Sequence, residues 1–583
     1  MITTMKKYTF LVMTSAYDTF LTQIREAGVV HITTKAEGLV EDEKLQAAIQ
    51  RADEINHLLR QGAPDQLLQE KAEVENRIAQ TLKEAERMQI WGDFSSERIV
   101  ALANAGYQLR YYTCPTAAFT EEWGVAVATE GARTYFVSIN QEINDDNCLE
   151  QILNEHSAAQ LMQDVDNLRG LLAAAQARVE AWWSQYESAL RQELIDVHHT
   201  IDWQRVTLST DFAAEGRLSL LEGFCPVDMC DALDATLRSL DCYYEKEDPA
   251  KDDATPIKLH NNRFTRLFEC LTGMYGWPNY GEFDPTPILG PFFLLFFSLC
   301  IGDAGYGLLL ILVGYLIHKE KLQIDMFSGM GPIIMALGVG STIIGYMMGG
   351  FFGINLFEST WMPEGCKQLM FAGMFGPEVA GYNVMMVLAL VIGVIHICLA
   401  MTIKCIVSTK RFGFTQTISA WGWLVLILGS LITLVVGGIV GLGTETTKVI
   451  LIAIGAISAL GIFIFNKPGR NPLINIGAGL WDTYGMATGI MGDVLSYIRL
   501  YALGLAGGML GMAFNQLGTM VLGETPNVGT WIGFILIVTL GHVLNLLMAC
   551  LGAFVHPLRL TFVEYFKNSG YEGSGKLYAP FKK

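Results

Sequence analysis

Over residues 286–583 the chain carries only 15 Lys and Arg and 12 Asp and Glu in 298 positions. This poverty of charge constrains the fold more than any single motif. A transmembrane helix needs about 20 apolar residues, and the stretch supplies such runs repeatedly. Candidate segments are 287–318, 331–352, 381–407, 418–441, 447–465, 478–517 and 529–566. Only helices and closed barrels satisfy their backbone in lipid, so the expectation is a multi-pass α-helical membrane domain.

The loops between these segments sort by charge. Lys319 and Lys321 fall in the first loop, Lys410 and Arg411 in the third, Lys467 and Arg470 in the fifth, and Lys567, Lys576, Lys582 and Lys583 in the tail. The intervening loops hold Lys367, Lys448 and, over 518–528, no positive residue. Positive charge marks the cytoplasmic side, which puts the odd-numbered loops and the C-terminus there. A cytoplasmic N-terminal half then favours 287–318 crossing twice, as two short helices broken at Gly302-Asp303-Ala304-Gly305-Tyr306-Gly307, the alternative being one long tilted helix. With the double crossing the count becomes eight. Segments 478–517 and 529–566 would be about 60 and 57 Å long as helices, twice the hydrocarbon thickness of about 30 Å. They are expected to form one long inclined hairpin.

Residues 1–285 are different in kind, with 25 Lys and Arg against 46 Asp and Glu, a balance of −21. Such acidity excludes a general nucleic-acid binder, which needs a basic surface. The N-terminus has an apolar run of only Phe10 to Met13, whereas a signal peptide needs about 7–15. The 11 cysteines are scattered, with no C-x-x-C, so reduced thiols are expected and neither a zinc site nor a disulfide framework. Strands are expected at Lys7–Met13 and Val29–Thr34, with a helix at Tyr17–Glu26 between them. A long polar helical run follows from Glu41 to about Met88, broken at Gly62-Ala63-Pro64. Then come a helix at Ser96–Asn104 and strands near Gln108–Thr113, Trp123–Ala128 and Thr134–Ile139. A second long helical run spans about Leu149–His199, followed by a strand at Leu218–Phe224, a helix at Val227–Leu240 and a strand at Cys242–Lys246.

Two long antiparallel helices enclosing one α/β lobe (91–148) would bring residues 1–40 and 205–260 together as a second lobe. The expected shape for 1–265 is an elongated α/β dumbbell, joined through a linker at 266–286 to the membrane domain at 287–566 and a tail at 567–583. His198-His199 and the acidic runs on the long helices read as a solvated face rather than metal ligands.

Within the last two segments the few charges become informative. Arg499 and Arg559 each sit in an apolar run, and intramembrane ionisable residues are functional candidates by default. At 100° per residue the face of Arg499 carries Gly485, Thr488, Gly492, Leu495, Ser496, Ala502, Leu503, Ala506 and Ala513. Small residues let another helix approach closely, either within this chain or in a partner to which Arg499 is presented. Asp482 and Asp493 share a stripe about 100–120° away, placed to line a hydrated path. Gly541, Asn545, Met548, Gly552 and Val555 share the face of Arg559, with His542 and His556 on its flank. His556 precedes Pro557, which removes one helical hydrogen bond and permits a kink. Gly570 to Lys576 spells G-x-x-x-x-G-K, but Leu577 follows instead of Ser or Thr and no strand precedes, so a phosphate loop is rejected.

SYIRLYALGLAGGML (Ser496 to Leu510), HPLRLTFVEYF (His556 to Phe566, containing Glu564) and CIGDAGYG (Cys300 to Gly307) resemble the membrane-embedded stator subunit of V-type and archaeal-type rotary ATPases, subunit a in eukaryotes and subunit I in prokaryotes. FECLTGMYGWPNYGEFDPTP (Phe268 to Pro287) resembles that family's approach to the membrane, and LEGFCP (Leu221 to Pro226) its soluble domain. The resemblance covers nearly the whole chain. It implies the dumbbell, the eight helices, and ion translocation through two offset half-channels beside a rotating proteolipid ring, the c or K ring. Arg499 matches the family's essential arginine and Arg559 the second. Asp482, Asp493, Ser496, His542, Asn545, His556 and Glu564 are the channel-lining candidates. Some relatives carry a glutamate ten residues before the second arginine, where this chain has Ala549. The implied partners are the ring, E/G-type peripheral stalks, the central stalk and catalytic A/B head, and the bilayer of a prokaryotic cell membrane. Both termini would be cytoplasmic, with no nucleotide site, cofactor or metal. The alternative is a stand-alone secondary ion transporter with a cytoplasmic regulatory domain.

Overall fold

The computed structural model of the chain describes residues 2–33, 42–319 (apart from 93, 144, 146, 154–155, 241 and 251–252), 329–357, 359, 362–367, 370, 378–379, 381–440, 443–465, 472–523 and 527–582. Lys321, Lys467, Arg470 and Lys583 lie outside the described residues. The chain divides into two compact units, Thr33–Ala213 and the remainder.

In Thr33–Ala213 the polar helical run is two helices, Glu43–Gln61 and Asp65–Gln89, interrupted where Gly62 turns left-handed at φ 78° and Pro64 restarts the chain. Helix Ala158–Leu208 lies antiparallel to both. Arg51 pairs with Glu193 and Glu70 with Arg178, so rising numbers on one side meet falling numbers on the other. These ion pairs are exposed and contribute little. The seam is apolar, with Leu45 and Ala52 buried against Ile201. The 51-residue helix starts later than its composition suggests. Leu149–Gln151 instead completes an antiparallel sheet with Leu109–Pro115, Arg133–Ile139 and Val125–Glu130. The helix begins after Ser157, whose hydroxyl accepts from the Gln160 N–H in a capping box that supplies the start signal.

In the other unit, strand Met5–Met13 pairs antiparallel with Leu218–Pro226 and with Cys242–Glu247, and the short strand His31–Ile32 extends the same sheet. Helices Tyr17–Ala27 and Val227–Leu237 bury Phe20, Leu21, Ile24, Leu233 and Leu237. The tail is drawn into this unit. Ile257 N donates to the Lys576 carbonyl, Tyr578 N to that of Ile257, and Phe581 N to that of Val30. The Tyr578 hydroxyl donates to the Val29 carbonyl at 2.6 Å. The G-x-x-x-x-G-K run therefore belongs to a packed strap, with Gly575 N donating to the Trp277 carbonyl.

Among the described residues, five helices are long and apolar enough to cross a membrane: Val384–Phe412, Phe414–Gly437, Thr444–Ile464, Ile476–Leu522 and Val528–Ser569. Three shorter apolar helices accompany them, Thr286–Ile301, Ala304–His318 and Gly331–Met347. The expected break in 287–318 is present. Gly302 adopts φ 57° and Asp303 caps the next helix, accepting from Gly305 N and Tyr306 N. The last two helices run 47 and 42 residues, and neither is regular. Tyr497 interrupts the first, between Pro472–Ser496 and Ile498–Leu522. In the second, Leu560–Tyr565 winds as a π-helix just beyond Pro557. Such π segments are frequent at functional sites.

Candidate functional site

Both irregularities flank the arginines. Arg499 lies two residues beyond the interruption at Tyr497, and Arg559 immediately precedes the π segment. Tyr497 is fully buried, and its hydroxyl meets Nδ1 of His396 at 2.8 Å. The His396 ring in turn stacks on Tyr565 of the π segment at 4.5 Å. One buried histidine on Val384–Phe412 thus ties together the two places where the long helices depart from regularity. Sequence reasoning missed His396, because a single histidine in an apolar helix carries no periodic signal. At Gly393, one turn before it, a Cβ would lie 2.5 Å from the Tyr497 ring, so that contact admits only glycine.

Arg499 is partly buried, and its Nη1 is enclosed without a hydrogen-bond partner. Around it the face predicted to be small is exposed at Gly485, Thr488, Gly492, Leu495, Ala502, Ala506 and Ala513. Added Cβ atoms at Gly485 and Gly492 would meet nothing within 4 Å, so no part of the described chain covers that face there. Arg559 is exposed, and the charges of both arginines reach His556, whose Nδ1 is buried and unpartnered. Both arginines thus lie within electrostatic reach of His556. The predicted face of Arg559 is divided by the packing of the two helices. Gly541 and Asn545 are buried, while Met548 and Val555 are exposed.

Asp493, Ser496 and Glu564 gather on one side of Arg499. Glu564 is buried, senses Ser496, Asp493 and Arg499, and leaves Oε2 without a partner. Asp493 accepts from Asn568 Nδ2 at 2.8 Å and lies 3.5 Å from Lys567 Nζ. Asn568 follows Glu564 by one helical turn and bonds its carbonyl, a placement the helix period alone suggests. Asp482 stands apart. It is exposed and lines a depression with Gln416, Trp423 and Trp481.

On the other side of the arginines, His542 and Asn545 do meet, through a residue that sequence reasoning left within its helix-break motif. The Tyr306 hydroxyl lies 2.7 Å from His542 Nδ1 and accepts from Asn545 Nδ2 at 2.8 Å. His542 Nε2 faces Asn515 Oδ1 at 3.0 Å, and Asn545 also donates to the Gly507 carbonyl. Among the described residues no group of three or more His, Cys, Asp or Glu is arranged to hold a metal ion.

Residues 140–371 and 487–583, more than half the chain, match the V-type ATPase 116 kDa subunit family. A-type ATP synthase subunit I of Methanocaldococcus jannaschii is 29% identical over 74% of this chain and 67% of its own. V-type ATP synthase subunit I 1 of Treponema pallidum is 27% identical over the whole of both chains. V-type ATP synthase subunit I of Chlamydia trachomatis is 26% identical over 97% of this chain and 96% of its own.

Proposed function

Because the chain belongs to the V-type ATPase 116 kDa subunit family, we propose that its last two helices form the ion path of a rotary ATPase, with Arg499 as the group that faces the rotor. The chain is the membrane stator subunit of such a machine, a subunit I like the relatives it resembles along its whole length. It works within the assembled complex, in a membrane.

A guanidinium does not deprotonate in a protein and presents a rigid fork to carboxylates. Opposite a ring carboxylate, it pairs with that group only after its ion has left. It therefore promotes release and blocks direct leakage between the two access paths. The observation that carries this reading is Arg499 itself, with an enclosed, unpartnered Nη1 beside an open face of small residues. A partner that approaches closely completes both.

Two half-channels flank this point in the proposal. Asp493, Ser496 and Glu564 serve one side, with the exposed Asp482 at its outer reach. Tyr306, His542 and Asn545 serve the other, where Ala549 supplies no carboxylate. Arg559 and His556 bridge the middle. The three shorter helices cross as well, making eight crossings, with both termini in the cytoplasm of a prokaryotic cell. The α/β part of the chain, read as a dumbbell, meets the peripheral stalks, and through them the catalytic head. The moving ion is a proton or sodium.

The test is ATP-driven ion uptake by proteoliposomes holding the assembled complex with Arg499→Ala. Uptake should disappear while ATP hydrolysis continues or falls with it. Retained uptake would remove Arg499 from the mechanism. Repeating the assay with and without sodium identifies the ion.

A further inference from the structure

The motif at residues 302–307 does more than break a helix. Asp303 is 3% exposed, and a buried carboxylate is costly unless its charge is hydrogen-bonded. Its partners are four backbone N–H groups. Oδ1 accepts from Gly305 at 2.8 Å, Tyr306 at 3.1 Å and Phe352 at 2.9 Å, and Oδ2 from Gly353 at 2.9 Å. Two of these cap the helix that carries Tyr306. The other two grip the turn of the hairpin formed by Gly350–Phe351 and Ile354–Asn355. Phe352 there holds φ 48°, a left-handed conformation that a bulky residue adopts only when its surroundings enforce it.

Both arms end on His542. Along one, Asp303 caps the helix of Tyr306, whose hydroxyl meets Nδ1. Along the other, the Phe352 carbonyl accepts from Asn515 Nδ2 at 2.8 Å, and Asn515 Oδ1 faces Nε2. The Phe352 ring also packs edge-on against Tyr306 and His542. The chain of donors then has one direction. A carbonyl only accepts, so the Asn515 amide must turn its NH₂ to Phe352 and its oxygen to the ring. His542 Nε2 must then carry the hydrogen, and Nδ1 accepts from Tyr306. Tyr306 in turn accepts from Asn545, so that every polar group in the ring has a partner.

We infer that Asp303 is the positioning residue of this cluster, fixing the orientation and tautomer of His542 through the Tyr306 helix on one arm and the 350–355 hairpin on the other. The inference rests on the half-channel reading for its consequence in transport, but its geometry stands independently. Asp303→Asn spares the helix arm and weakens the hairpin arm. The amide oxygen still caps the helix, since Asn is as good a cap as Asp, and still accepts from Phe352 N. The amide nitrogen in the place of Oδ2 meets the Gly353 N–H donor to donor, so the hairpin turn keeps one of its two bonds to residue 303 and loosens.

The experiment uses the assembled complex with ¹⁵N-labelled histidine, the His542 signal being identified by its loss in His542→Gln. The parent should show a single Nε2–H tautomer at His542, and Asp303→Asn a mixture. ATP-driven ion uptake should fall about tenfold, as supporting-shell losses do. Asp303→Asn added to His542→Gln should cost nothing more, since the two act as one unit. A single, unchanged His542 tautomer in Asp303→Asn, or fully additive losses, overturns the positioning role. If Asp303→Asn prevents assembly, Asp303→Ser keeps a helix cap while offering one oxygen in place of two, and the same spectrum decides. The Arg499→Ala result judges the half-channel reading separately. If that reading fails while Asp303→Asn still scrambles the His542 signal, the positioning role stands and its link to transport falls.

Discussion

Two groups of polar side chains lie on either side of Arg499 and Arg559 along the last two helices, and they are built in opposite ways. The group of Tyr306, His542, Asn515 and Asn545 is composed of neutral residues whose hydrogen bonds close on one another. The group around Asp493 and Glu564 is made of ionisable side chains. It leaves Glu564 Oε2 bare, as the centre leaves Arg499 Nη1 and His556 Nδ1 bare. Buried polar atoms are normally paired, and these three atoms, on the proposed ion path, are not held by the fold. A closed network holds geometry, and an open one leaves its groups free for another task. Substitutions in the open group should therefore strike transport, and substitutions in the closed group should strike stability as well.

The largest effect is expected at the centre. Arg499→Ala should take ATP-driven uptake below detection. Any remaining uptake would erase the distinction between an open path and an incidental gap. Next is Glu564→Gln, which should lower uptake severalfold while leaving thermal stability within about 0.5 kcal/mol of the parent. A stability loss as large as the transport loss would show that Glu564 is structural. Asn545→Leu tests the closed group. It strips Tyr306 and the Gly507 carbonyl of a donor, and should destabilise the membrane domain by about 1–3 kcal/mol, read as a shift in denaturation of the complex.

A fourth experiment takes the same contrast outside the membrane, to a histidine that is paired and kept neutral. Burial holds His31 below its ordinary value of 6.5, aided by the nearby Lys576 charge and opposed by its bond to the Ala579 carbonyl. The freed side chain binds a proton more readily than the packed one. The strap is therefore fully stable above about pH 6.5 and weakens as pH falls through the lowered value. Hydrogen exchange at Phe581 N, corrected for its intrinsic pH dependence, should speed up between pH 7 and 5 in the parent. It should lose that dependence in His31→Gln. The smallest effect belongs to the exposed pairs. Arg51→Ala should cost no more than about 0.5 kcal/mol, measured by thermal denaturation.

Much of this was legible in the residues, for reasons that can be named. The break at Gly302 showed because three glycines and an aspartate in six positions cannot be a smooth apolar helix. The interruption at Gly62 to Pro64 showed by the same chemistry. Arg499 and Arg559 stood out because charge is rare around them. Hidden from the sequence were relations between distant segments. Asp303 to Phe352, Tyr306 to His542 and His396 to Tyr497 span 49, 236 and 101 positions, and no periodicity links such pairs. The face of Arg559 was read on an ideal helix. The two long helices press Gly541 and Asn545 inward, against Phe514 and the Gly507 carbonyl, and leave Met548 and Val555 outside. The strand at Leu149–Gln151 is hidden in a helical composition because its pairing partner, Leu109–Pro115, lies some forty residues upstream.

The strap formed by residues 570–582 bears on how such a chain comes into being. Val29, Val30 and His31 are made before the apolar helices that begin at Thr286, yet their partners at 578, 579 and 581 are made after the helix that ends at Ser569. Domains generally fold as they emerge during synthesis, but this lobe cannot finish before residue 581 has been added. Insertion of the helices and completion of the lobe are thereby placed in a fixed order, and a polypeptide stalled partway through synthesis keeps the edge at His31 open.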